Sequence, residues 1–172
     1  MSEIDTEKVM SDINKTAEAM KILLQNNHHE SFLILLYSWL DRMAWLSVEA
    51  EASNGNDFKN WVNKYLLKDK NFPCNADDLW AARCGVLHTG AAEANDTRSG
   101  KAKVIYYYGG NIDASENNNH QKVFVNLKEL HIETICAAGV FVEHLKRNPN
   151  KLVLANIKLG RVLSRVLVSN ES

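Results

Sequence analysis

Apolar positions recur at three- and four-residue steps along much of the chain, a rhythm that predicts helices. Over residues 5–26, Val9, Ile13, Ala17, Met20 and Leu24 keep this step and form one apolar face. The polar break Asn26-Asn27-His28-His29 separates that helix from a second one over about residues 30–50. Phe32, Leu33, Ile34, Leu35, Leu36, Trp39, Leu40, Met43, Trp45 and Leu46 leave this second helix apolar almost all round. Such a helix is central in a core or covered by a partner chain. Ser53-Asn54-Gly55-Asn56 is a turn, after which Asp57 is expected to cap a shorter helix bearing Phe58, Trp61, Val62, Tyr65 and Leu66. Pro73 falls in the next connection. Asn75 is the expected N-cap of a fourth helix, with Asp77 and Asp78 in its first turn, where carboxylates suit the helix dipole.

The pattern changes after Thr89-Gly90, where small polar residues run to about Ala102. Lys103–Tyr108 and Gln121–Val125 are β-branched and aromatic runs, separated by Gly109-Gly110 and an Asn-rich loop. They predict a two-stranded hairpin over about residues 103–125, which must pack on the helices to be stable. Asn126 is expected to cap a long helix to about Arg147, with Pro149 at its end, and a last helix runs over about 150–168. The expected fold class is therefore all-α: one domain over 1–172, an up-down helical bundle with a small inserted β-hairpin.

Composition narrows the class. With 20 Lys+Arg against 21 Asp+Glu the net charge is −1, so any nucleic-acid site must be a local patch. The longest nearly apolar stretch, Phe32–Leu40, is far short of the roughly 20 residues that span a bilayer. Met1-Ser2-Glu3-Ile4-Asp5 lacks the basic start and apolar middle of a signal peptide. Cys74, Cys84 and Cys136 cannot all pair and form no C-x-x-C motif. A reducing cytoplasm is the expected setting, with no membrane association and with the thiols acting as small buried hydrophobes.

Several motifs are excluded. Gly100-Lys101 is no phosphate-binding P-loop, because Ala102 stands where Ser or Thr belongs and Asn95 where the first Gly belongs. The six histidines are too scattered for a metal site readable from spacing, and His28-His29 reads as a solvated helix start. No nucleophile elbow is present.

The informative stretch is the fourth helix, Leu79-Trp80-Ala81-Ala82-Arg83-Cys84-Gly85-Val86-Leu87-His88-Thr89-Gly90. At about 100° per residue, His88 falls about 140° around the helix from Arg83, with Leu87, Trp80 and Cys84 between them. Arg83 and His88 thus flank an apolar stripe, while Leu79, Ala82 and Val86 form another. If the first stripe packs on a second copy about a two-fold axis, two Arg and two His enter one cleft. Asp41 on the second helix shares a face with Ile34, Tyr37, Trp45 and Val48, where an unpaired carboxylate is costly. Its partner is Arg83, or another cation such as Arg42 or a C-terminal Arg. An Arg83 partner would be fixed in orientation by the pair.

Arg83-x4-His88, late on a helix of a small bundle, resembles the R-x4–6-H signature of the HEPN superfamily, compact helical domains that include many metal-independent RNA endonucleases. The resemblance is strongest over about 76–108, where Cys84-Gly85, His88-Thr89-Gly90 and Ser99-Gly100-Lys101 precede an aromatic strand. One departure is Cys84, where many active members carry a polar residue directly after the Arg.

The resemblance implies a homodimeric endoribonuclease that needs no metal or other cofactor. His88 would act as the acid/base on the RNA 2′-hydroxyl, since imidazole exchanges protons near neutral pH. Arg83 would stabilise the charge developing on phosphorus, and Asp41 would orient Arg83. A toxin or phage-defence role fits that reading, with an antitoxin or a nucleotidyltransferase as a possible protein partner. Arg98, Lys101 and Lys103 are the candidate RNA contacts, with a second basic face of Lys158, Arg161 and Arg165, and Tyr106–Tyr108 offer stacking surfaces. The alternatives are a non-catalytic HEPN-like module that binds nucleotide or protein, and an inert dimerisation domain in which Asp41 and Arg83 form a plain structural pair.

Overall fold

The computed structural model describes residues 6–90, 94–110 and 114–162. The helices are α1 (Glu7–Gln25), α2 (His29–Ser47), α3 (Gly55–Trp61), α4 (Ala76–Thr89), α5 (Asn95–Arg98), α6 (Leu127–Lys146) and α7 (Pro149–Leu159). Strands β1 (Val104–Tyr108) and β2 (Lys122–Asn126) lie between α5 and α6. The described chain is mostly helical. None of its described helices is long and apolar enough to cross a membrane.

Helix α2 is the centre of the molecule, packed by α1, α3, α4, α6 and α7. Its apolar circumference follows from that position: Phe32, Leu36, Tyr37, Trp39, Leu40 and Met43 are essentially inaccessible, and Ile34 is its exposed exception. Phe141 packs edge to face with Trp61 and Tyr65 in the same core, and the latter two are tilted against each other. The Tyr37 and Tyr107 hydroxyls bond to each other there, and burial pushes the Tyr37 pKa well above its ordinary value.

Local sequence explains the helix ends, with one correction. Asn54, not Asp57, is the N-cap of α3: its side chain accepts from the Asn56 and Asp57 amides, while the Asp57 carboxylate accepts from the Asn54 amide. The cap must be extended and its side chain must reach the free amides, which Asn54 before Gly55 does. The helix then continues as a π-helical turn, Val62–Leu66. Asn126 caps α6 by accepting from the Lys128 and Glu129 amides. Pro149 is the first residue of α7. The last helix, expected to run to Val168, ends instead at Leu159, with residues 160–162 in a turn, and Arg165 lies outside the described residues.

The expected hairpin is also corrected. β1 and β2 pair in parallel, with Val104 opposite Lys122, Tyr106 opposite Phe124 and Tyr108 opposite Asn126. A parallel pair needs a crossover of about a dozen residues, and the connection 109–121 supplies it. The asparagines that look like hairpin-loop residues anchor the returning chain instead. Asn119 Oδ1 accepts from the Gln121 and Lys122 amides, and Asn118 Oδ1 accepts from the Phe124 amide. Ile105, Val123 and Val125 are buried, and Tyr106 stacks on Phe124 on the outer face.

Candidate functional site

Helix α4 is fastened at both ends. Asn75 Oδ1 accepts from the Asp77 and Asp78 amides, and Asp78 Oδ2 accepts from the Asn75 amide. Asp78 Oδ1 also accepts the Lys103 amide at 2.6 Å, so this buried carboxylate ties β1 to the first turn of α4. At the other end Gly90 adopts the left-handed conformation that closes a helix. Leu79, Ala81 and Ala82 face the core, Arg83, Cys84 and Leu87 are half-buried, and His88 is exposed.

Arg83 is held from several sides. Its Nε and Nη2 donate to one oxygen of Asp41, Oδ2, at 2.9 and 2.6 Å. Its guanidinium lies over the Trp80 ring, 5.1 Å from the centroid. Cys84, the residue after Arg83, makes a smaller contribution that raises the Arg83 pKa. Partial burial pulls the Arg83 pKa down, but the hydrogen bond and charge of Asp41 outweigh it and hold the guanidinium above its ordinary value. Nη1 is 3.3 Å from His88 Nε2. A guanidinium has no acceptor, so this contact presents an unprotonated Nε2 to it. At 3.3 Å this contact is long for an N–H donor, so it is a weak bond. The helical wheel separates the two residues by about 140°. The length of the Arg side chain closes that gap.

The structure therefore brings Asp41, Arg83 and His88 together within one chain. It does not bring the three proposed RNA-contacting residues to them as a group. The Lys103 backbone sits at the first turn of α4, about 15 Å along the helix from His88 at 1.5 Å rise per residue. Lys101 is exposed in the turn after α5, and Arg98 Nη2 donates to Asn95 on its own short helix. The second basic face is corrected outright. Lys158 is 2% exposed and donates to the carbonyls of Trp45, Val48 and Ala50, because α7 packs with this residue against the end of α2.

Two other expectations change. Trp80 does not lie free for a second copy: it packs on Phe58 and Gly55 of α3, so closely that a Cβ at Gly55 would come within 2.8 Å of the ring. Of the three thiols only Cys74 is buried, and burial with the charge of Asp78 pushes it up to about 12, while Cys84 is half-buried and Cys136 exposed.

Sequence reading missed the surroundings of Asp41. A cleft of about 440 Å³ beside it is lined by Ser38, Arg42, Trp45, Ser53 and Arg161. Arg42 is engaged by Asp12 at 2.7 Å and Arg161 by Glu51, which leaves Asp41 to Arg83. Arg42 adjoins Asp41 in sequence and was in view as a competing partner. Arg161 reaches the cleft only because α7 docks on α2.

Chemically, the arrangement is a fixed guanidinium with one end turned to an accessible imidazole. It can bind an oxyanion at the guanidinium and exchange a proton between the imidazole and a hydroxyl beside it. Among the described residues no group of three His, Cys, Asp or Glu side chains could hold a metal ion. No family model, curated protein or solved structure matches the chain.

Proposed function

We propose that this protein is an endoribonuclease of the HEPN type, and the observation that carries the proposal is the Asp41–Arg83–His88 array. In this reading a scissile phosphate binds to Arg83 Nη1, which leaves the His88 Nε2 lone pair to face the adjacent 2′-hydroxyl. His88 takes the proton of the adjacent 2′-hydroxyl, whose oxygen bonds to phosphorus as the bond to the 5′-oxygen breaks. The leaving oxygen takes a proton from an imidazolium, giving a 5′-hydroxyl and a 2′,3′-cyclic phosphate. Arg83 stabilises the charge that develops on the phosphoryl oxygens, and Asp41 keeps the guanidinium from rotating away.

The nucleophile belongs to the RNA, so the proposed reaction proceeds without an added metal. The half-exposed Cys84 and Leu87 are the apolar part of α4 open to a second copy, and a two-fold contact there joins two Arg83–His88 pairs in one cleft. The proposed setting is cytoplasmic, with toxin or phage-defence chemistry, and an antitoxin or nucleotidyltransferase is the kind of partner that would control it.

The test is cleavage of a mixed RNA in EDTA by the wild type and by His88→Ala. Products ending in 2′,3′-cyclic phosphate with the wild type alone are expected. Equal cleavage by both proteins would remove His88 from the mechanism. Equal inactivity of two folded proteins would leave the non-catalytic binding module as the better reading.

A further inference from the structure

A second concave site lies at a different place and shares no residue with the array described above. The last turns of α1, the first residue of α2 and the first turns of α6 enclose a groove of about 720 Å³ below β1. That volume is in the range of small-molecule sites. Its apolar part comes from Leu24, Leu127 and Ile132, and its polar part from Lys21, Lys128, His29 and His131. Among the described residues lining it there is no carboxylate. In a chain of net charge −1, two ammonium groups and two imidazoles around an apolar floor are a marked local bias.

Details of the groove point the same way. His131 packs edge to face with Phe32, and its buried Nε2 has no hydrogen-bond partner. Burial first, and then the charge of Lys21, hold the His131 pKa below its ordinary value. His29 lies against Gly109, its ring 3.7 Å from where a Cβ would stand. Lys128 and Lys21 are exposed and in no ion pair among the described residues, so neither is neutralised by the protein itself.

We propose that this groove binds a small organic anion, with one carboxylate, sulfonate or phosphate head between Lys21 and Lys128 and an apolar body on Leu24 and Ile132. The charge complementarity selects an anion over a neutral or cationic molecule, and the apolar floor selects one with a hydrocarbon or aromatic body over inorganic phosphate.

The test is calorimetric titration of the full chain with 8-anilinonaphthalene-1-sulfonate, followed by displacement with decanoate, 1-decanol and decyltrimethylammonium. One equivalent of the sulfonate is expected to bind, displaced by decanoate and not by the other two. The double variant Lys21→Glu/Lys128→Glu is expected to weaken binding about tenfold or more. Lys68→Glu, an exposed lysine outside the groove, is expected to leave it unchanged. If the double variant melts early by circular dichroism, the single changes Lys21→Gln and Lys128→Gln carry the comparison. Absence of saturable binding, indifference to both lysines, or equal displacement by decyltrimethylammonium overturns the proposal. So does sedimentation showing that the sulfonate binds only as dimers dissociate, since the groove would then be an interface between copies. The readout is binding, so its failure is distinguishable from loss of RNA cleavage.

Discussion

Two cations reach α2 from other helices and end in opposite conditions. Lys158 of α7 is buried at the C-terminal end of α2, donating to the carbonyls of Trp45, Val48 and Ala50 at 2.7, 2.6 and 2.9 Å. Those three bonds use all the donors of an ammonium, and they fasten the chain that leaves α2. Arg83 of α4 reaches the middle of α2, gives two donors to Asp41, and turns Nη1 toward exposed His88. Its side chain keeps 19% of its exposure and that of Asp41 28%. A cation with every donor committed inside the fold can only hold structure. One that is oriented, partly exposed and left with a weakly engaged donor can still bind something else.

The largest expected effect that would break this contrast is on chemistry. Arg83→Ala is expected to lower RNA cleavage by about 10²–10³-fold, the usual loss for one oxyanion-stabilising donor. Its unfolding free energy should change by less than about 1 kcal/mol, because Asp41 remains in reach of water. A urea titration showing a loss of several kcal/mol with cleavage intact would make Arg83 a second Lys158. Next is Lys158→Met, expected to destabilise by about 2–4 kcal/mol, since three carbonyls lose the donor that Lys158 supplies. The cleavage rate of its folded fraction should stay at the wild-type value.

A smaller effect sharpens the role of Asp41. Asp41→Asn keeps the size of the side chain but removes the charge that orients the guanidinium, and about a tenfold fall in kcat with little change in KM is expected. A rise in KM alone would assign Asp41 to binding. The smallest effect concerns pH. Burial, with nearby cations, holds His131 and His144 below their ordinary value of 6.5. As pH falls below 6.5 the unfolded chain takes up these protons before the folded chain does, so stability declines toward acid. A His131→Phe variant is expected to show a shallower fall in Tm between neutral and mildly acidic buffer. An unchanged slope would show that His131 does not contribute to it.

Most of the helical order was legible along the chain. The apolar circumference of α2 announced its central place, and Asn75 and Asn126 announced the starts of α4 and α6. The Asp41–Arg83 pair was one of several open choices for Asp41. The structure resolves it because Arg42 is taken by Asp12 and Arg161 by Glu51. The direction of β2 was misread for a physical reason: glycine and asparagine between two strands serve a tight turn and a long crossover equally well. Lys158 was misread because its spacing with Arg161 and Arg165 matches a solvated face, and nothing within its own helix shows three carbonyls waiting for it.

What the sequence by itself determined are features whose causes lie within a turn or two: helix periodicity, the asparagine caps, the glycine that ends α4, and the Arg83–His88 spacing on one helix. What only the tertiary structure decided are partnerships across long stretches of chain. Asp41 meets Arg83 across 42 positions, and Lys158 meets the end of α2 across more than a hundred. Such pairs follow from how helices dock, which is set by the summed burial of many side chains. No single residue signals it in advance.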